Sequence, residues 1–158
     1  MSDSDTPELL LDNQICFAVH ATAHAFAQAY KPLLKAMNLT YPQYLVMLVL
    51  WERDDLSVSD IGQKLFLDSG TLTPLLKRLE ALGYVQRTRD TADERVVRIT
   101  LSDAGRSLKT QALCVPPALL AATELDIPGL QSLNGQVRRL GDALRGQSRP
   151  LAAGAEAT

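Results

Sequence analysis

Two groups of residues in this 158-residue chain carry side chains that can do chemistry at a useful spacing. The first is the thiol of Cys16, with His20 four residues later and so on the same face of any helix carrying both. A thiolate is a nucleophile and an oxidisable centre, whereas an unactivated thiol packs as a small apolar group; residue type alone leaves both readings of Cys16 open. His20 either tunes that sulfur as a neighbouring imidazole or fills space beside it. The second group offers the hydroxyls of Ser69, Thr71 and Thr73, the cations Lys77 and Arg78, and farther on Asp93 beside Arg95. Hydroxyls at this spacing can bond phosphates or base edges, and the cations can neutralise backbone charge. Phosphate would repel Asp93 unless it holds Arg95 in position, which is the role expected of it.

These side chains need elements to carry them. Apolar residues recur at helical spacing from Glu8 to about Met37, with Pro32 expected to end or bend that helix. Thr40 and Gln43 form a capping box around Tyr41 and Pro42, and the apolar run Tyr44 to Trp51 that follows is expected at the buried centre of the fold. Ser57 and Asp60 repeat the start signal for a short helix that turns Ile61 and Leu65 inward. After a break around Phe66 to Asp68, a second helix runs to Leu82 and stops at Gly83, with a core stripe of Leu72, Leu75, Leu76, Leu79 and Leu82. Pro74 is awkward there: either the helix begins as late as Gly70 or Thr71, or it is distorted locally. Val85 to Arg89 and Arg95 to Leu101 alternate as two strands joined through a charged tip. Ser102 caps a further helix running toward Pro116 and Pro117, and a last helical segment spans Leu130 to Leu144. The expected fold is mainly α with a small β-hairpin: residues 57–101 read as a winged helix-turn-helix, a reader of duplex DNA. Its second helix would enter the major groove and Arg95 the adjacent minor groove.

Length and composition suit one globular domain over residues 8–145, with disordered tails at 1–7 and 146–158. Hydrophobic residues make up 46% and charged residues 22%, and no apolar run is long enough to cross a bilayer, so a cytoplasmic protein with no membrane partner is expected. Cys16 and Cys114 are too few and too far apart for a disulfide scaffold or a paired metal site; neither metal nor cofactor is expected. The net charge of −2 argues against a protein coated for nonspecific nucleic-acid binding. Yet Lys77, Arg78, Arg87, Arg89, Arg95 and Arg98 crowd one segment against four acids, while an acidic surplus lies in the N-terminal tail and around Asp54 and Asp55.

The segment from Leu10 through Leu108 resembles the MarR family of winged-helix regulators, and within it the organic hydroperoxide resistance regulators. The stretch Leu11 to Ala18 around the cysteine, Tyr30 to Leu34, Leu39 to Leu45, Leu67 to Arg78, and Asp93-Glu94-Arg95 carry the likeness. It implies a repressor, not an enzyme, that binds operator DNA as a homodimer built from N- and C-terminal helices (residues 8–54 and 102–145). It also implies that Cys16 senses organic hydroperoxide and that its oxidation releases the operator, with Tyr30 and Tyr41 as supporting tyrosines. On one straight helix Cys16 and Tyr30 would stand about 21 Å apart, so contact between them requires a partner subunit. The chain departs from its relatives at His20, where they carry tyrosine. It departs again at Cys114, which lies about two helical turns before the position near Ala121 where a resolving cysteine falls. Cys114 is then either a displaced resolving thiol or a passive core residue; in the second case a low-molecular-weight thiol would take its place. The rival reading is a repressor released by an aromatic or phenolic ligand in the dimer cleft, with Cys16 incidental.

Overall fold

The computed structural model describes residues 6–146. The expected tails fall mostly outside them; of the residues assigned to tails, Pro7 opens a short 3-10 turn and Gly146 closes the last helix. The chain divides into two compact units, the first running up to Pro117 and the second starting at Ala118.

The first helix is shorter than its periodicity suggests. Pro7–Leu9 and Leu11–Asn13 form 3-10 turns, and α1 runs from Ile15 to Leu34. Local side-chain bonds explain the late start: Asn13 Nδ2 donates to the Pro7 carbonyl at 2.7 Å, and Gln14 Nε2 donates to those of Glu8 and Leu10 at 2.6 and 3.0 Å. These bonds satisfy carbonyls that an earlier helix would have used. Pro32 sits inside α1 without ending it; the helix closes two residues later and a 3-10 turn follows at Lys35–Met37. Helix α2, Tyr41–Glu52, starts at the Thr40 box, where the Thr40 N–H donates to Gln43 Oε1 at 2.9 Å. Its apolar residues bury Tyr44, Val46, Met47, Val49 and Leu50, making it the expected centre of the core.

The β-structure is larger than a hairpin. Leu56–Ser57 forms β1 ahead of helix α3, Val58–Leu65. Helix α4 spans Ser69–Ala81, followed by β2 (Val85–Arg89) and β3 (Val97–Leu101). The sheet order is β1-β3-β2, all antiparallel, with Leu56 opposite Ile99 and Val85 opposite Leu101. A two-residue strand has no alternation to read, which is why the sequence shows only two. Strand β3 begins at Val97 rather than Arg95, leaving Arg95 in the connection. Ser102 caps helix α5, Asp103–Ala112. Pro116 and Pro117 then open another helix, α6, Val115–Ala122, because a first turn needs no proline N–H. Ile61, Leu72, Leu76, Leu79, Ile99 and Val115 join α2, Leu34 and Met37 in one buried cluster.

In the second unit, α7 runs from Ile127 to Gly146, longer at both ends than its sequence pattern suggested, and buries none of its residues. Leu133, Val137, Leu140 and Leu144 stand exposed along it. In the first unit, Leu9, Leu10, Leu11, Ile15, Phe17 and Val19 are likewise exposed. Among the described residues no single helix is long and apolar enough to cross a membrane.

Candidate nucleic-acid interface and thiol site

The approach of α4 to α3 depends on a tight turn. Phe66 takes a left-handed conformation (φ 55°), and the Leu67 N–H donates to the Gly62 carbonyl at 2.9 Å. Gly62 lies against this turn so closely that a Cβ there would come 2.6 Å from the Leu67 carbonyl oxygen. Asp68 then caps α4, its Oδ1 accepting the Thr71 N–H at 2.7 Å. That cap settles the question at Pro74: with the start pinned at Ser69, Pro74 lies inside the helix, and α4 stays continuous through it. By spacing alone Asp68 falls in the break between the helices; its capping role shows only in the folded turn.

Ser69, Thr71, Lys77 and Arg78 are exposed on α4, and Thr73 is half-buried. Thr73 Oγ1 donates to the Ser69 carbonyl at 2.6 Å, so this hydroxyl presents lone pairs rather than its proton. A cleft of about 940 Å³ opens between the α3–α4 pair and the wing, lined by Ser57, Ser59, Ser69, Thr73, Arg87 and Arg95 among others. Above it Arg95 forms a two-pronged pair with Asp93: Nε to Oδ1 at 3.0 Å and Nη2 to Oδ2 at 3.1 Å. The Arg95 side chain and backbone N–H together hold the Asp93 carboxyl below the usual carboxylate range. Asp93 is thus in the geometry its expected pinning role requires.

The basic segment is less bare than its composition suggests. Arg98 Nε donates to Asp55 Oδ1 at 2.7 Å and its Nη1 reaches Asp90 Oδ2 at 3.5 Å, while Arg87 Nη1 reaches Glu80 at 3.5 Å. Asp54 takes Arg106 Nη2 at 2.8 Å and the Leu101 N–H at 2.8 Å. The acids at 54 and 55 therefore serve as partners for the sheet and α5. Lys77 and Arg78 keep no ion pair among the described residues. Arg78 also borders a second groove, with Lys31 and Lys35 of the α1 end, which sequence reasoning did not single out.

The thiol candidates lie elsewhere. Cys16, in the first turn of α1, is an exposed free thiol, and His20 one turn on is exposed too; no hydrogen bond joins their side chains among the described residues. Tyr30, at the far end of the same helix, is not brought to Cys16 within the chain. It stacks instead on Tyr41, ring centroids 4.6 Å apart, and leans on Tyr44 at 5.7 Å. Burial, then the neighbouring phenols of Tyr41 and Tyr44, push Tyr30 up to about 12, so at neutral pH it is a hydroxyl donor. Tyr41 is raised by burial as well. Cys114 is exposed, its Sγ donating to the Gln111 carbonyl at 3.1 Å, so it is not the core residue that one reading made it. It lies near Tyr44, whose phenol is raised first by burial and then by Cys114. Among the described residues, no cluster of three or more His, Cys, Asp or Glu could hold a metal.

The family model described as transcriptional regulator SarA/Rot matches residues 28–112. The transcriptional regulator TtmR of Methylorubrum extorquens is 52% identical over 144 residues, 91% of this chain and 73% of that protein. The organic hydroperoxide resistance transcriptional regulator of Bacillus subtilis is 42% identical over 134 residues, 85% of this chain and 91% of that protein. Among solved structures, reduced AbfR bound to DNA is similar with a TM-score of 0.72 and 36% identity, over 85% of this chain and 92% of that one; AbfR is a Staphylococcus epidermidis protein.

Proposed function

The chain belongs to the SarA/Rot-type, MarR-like winged-helix transcriptional regulators, and within that family we propose that it is a repressor released from operator DNA when organic hydroperoxide oxidises Cys16. The observation that carries this reading is an exposed free thiol in the first turn of α1, in a chain 42% identical to an organic hydroperoxide resistance regulator. The chain binds DNA as a homodimer. Residues 57–101 form the reading lobe, and residues 8–54 and 102–145 supply the helices that pair. The apolar side chains left exposed before Cys16, on α1 and along α7 are the surface such pairing would cover.

In the reaction, the Cys16 thiolate attacks one oxygen of the O–O bond. That bond breaks, sulfur gains the oxygen as a sulfenic acid and is oxidised by two electrons, and the peroxide leaves as an alcohol after taking up a proton. Tyr30 and Tyr41 of the partner subunit, both protonated at neutral pH, donate toward the sulfur and favour thiolate over thiol. The thiol of Cys114, or a low-molecular-weight thiol, then attacks the sulfenic sulfur; the S–O bond breaks, a disulfide forms and water leaves. Loss of the contact between sulfur and phenol alters the dimer and hence the spacing of two α4 helices that read two half-sites together. Ser69, Thr71, Thr73, Lys77, Arg78 and Arg95 make the DNA contacts.

The test is fluorescence anisotropy on a labelled duplex, selected by the wild-type protein from a random pool, with one equivalent of cumene hydroperoxide. Wild type is expected to release the duplex, with intact mass showing one added oxygen or a thiol adduct at Cys16, or a reductant-sensitive disulfide to Cys114. Cys16→Ser is expected to bind equally well and not to release. Release by Cys16→Ser, or retention by wild type with release by a phenolic carboxylate, would overturn the proposal in favour of a ligand-gated regulator.

A further inference from the structure

The cleft between the helix pair and the wing has a second cation, Arg87, in its wall. Arg87 is the third residue of β2, opposite Ile99, and its side chain is 24% exposed, against 91% for Arg95. It faces Glu80 on the last turns of α4. The Arg87 backbone N–H donates to Glu80 Oε1 at 3.2 Å, and Nη1 reaches Oε2 only at 3.5 Å. Its Nε is shielded from solvent and bonded to no group among the described residues. A guanidinium carries five N–H donors in a planar fork that suits two oxygens of a carboxylate or a phosphate, and a shielded donor left unpaired is costly. Here Glu80 engages the fork at the limit of bonding distance. The remainder of this cleft wall offers Ser59, Ser69 and Arg95, while the Ser57 and Thr73 hydroxyls already donate to Asp60 Oδ2 and the Ser69 carbonyl; the one carboxylate among the lining residues, Asp68, has an oxygen committed to the Thr71 N–H. Hydroxyls and guanidinium groups around a cleft between a groove helix and a wing match a sugar-phosphate backbone, which carries charge at regular intervals and no acid of its own to donate.

We propose that Arg87 is a phosphate-contact residue held in reserve by Glu80: as duplex DNA enters the cleft, the guanidinium exchanges the Glu80 carboxylate for a backbone phosphate. This rests on the DNA-binding reading above. Glu80 thereby competes with DNA, and removing its charge strengthens binding instead of weakening it.

The experiment measures affinity for the selected duplex across a salt series for wild type, Arg87→Ala, Arg87→Lys and Glu80→Gln. Arg87→Ala is expected to lose about tenfold in affinity. The same variant should reduce the salt slope by about 0.9, the signature of one lost phosphate contact. Arg87→Lys keeps the wild-type slope, since a point charge still neutralises a phosphate, and loses part of the affinity with the fork. Glu80→Gln binds more tightly than wild type. If Glu80→Gln weakens binding as much as Arg87→Ala, and the salt slope stays at the wild-type value in every variant, the pair is a strut between α4 and the wing and the proposal is overturned. Should Arg87→Ala fail to fold, Glu80→Gln decides the matter by affinity: tighter binding than wild type supports the exchange, and weaker binding overturns it. A wild-type protein that selects no duplex would overturn the DNA-binding reading itself, before any variant is compared.

Discussion

Arg95 at the wing tip is long and almost fully exposed, and Asp93 two residues away bonds both prongs of its guanidinium. An exposed ion pair contributes little stability. On the proposed DNA-binding reading its effect would be conformational: a side chain with many rotamers, favoured in one of them by Asp93, would lose less entropy on binding. Arg95→Ala is expected to reduce duplex affinity by about tenfold and to leave the rate of Cys16 alkylation unchanged. Asp93→Asn should lower affinity less, because the cation survives without its guide. Equal affinity for wild type and Arg95→Ala would remove the wing from the account. Burial raises both Tyr30 and Tyr41 above the ordinary phenol value, and for Tyr30 the neighbouring phenols of Tyr41 and Tyr44 add to it; a protonated phenol can donate where a phenolate cannot.

The helix-turn-helix depends on how closely α3 and α4 approach. Gly62 permits that approach, since any side chain there would collide with the Leu67 carbonyl in the turn. Gly62→Ala is expected to destabilise the protein by about 1–3 kcal/mol, read as a lower urea midpoint at unchanged slope. It should also weaken duplex binding, because relieving the collision rotates α4 away from α3. An Ala variant as stable as wild type would mean that the turn yields without cost. The start of α4 is equally local in origin. Asp68 accepts the Thr71 N–H at the positive end of the helix and is held below the usual carboxylate range first by that backbone bond and then by the Thr71 side chain.

Within the first unit, Asp54 ties three elements together: it follows α2, accepts the Leu101 N–H at the end of β3, and takes Arg106 of α5. Beside it, Trp51 Nε1 donates to the Gly105 carbonyl at 2.9 Å. Partial burial pushes Asp54 up, but the N–H groups of Leu101 and Asp55 and the Arg106 guanidinium outweigh it and hold the carboxyl below its ordinary value. A carboxyl lowered on folding stabilises the fold at pH above its unfolded value, and that contribution is lost as pH falls through the folded one. Asp54→Ala should therefore cost about 1–3 kcal/mol at neutral pH, since the Leu101 N–H loses its acceptor. The loss should shrink below about pH 4, where wild type forfeits the same contribution. A pH-independent difference in urea stability would assign the effect to packing instead. At the scale of the assembly, sedimentation is expected to give twice the mass of one chain, with the exposed apolar residues of α1 and α7 covered.

What could be read from the residues alone was local. The Thr40, Ser57 and Ser102 caps, the Gly83 stop, the α4 leucine stripe and the grip of Asp93 on Arg95 all join residues a few positions apart, where spacing already dictates geometry. The identity of Cys16 as the thiol to watch came from its neighbours in sequence, not from any contact. Only the tertiary structure decided that Leu56–Ser57 is a strand, that the acids at 54 and 55 neutralise Arg98 and Arg106, that Tyr30 stacks on Tyr41, and that Arg87 faces Glu80. Glu80 and Arg87 stand only seven residues apart, yet they lie on different elements, and no periodicity links a helix to the strand after it. The other pairs reach farther along the chain, some across forty residues or more. Periodicity reports which face of an element is apolar; which charged or aromatic group another element presents to that face follows from how the elements pack, and packing is a property of the whole chain.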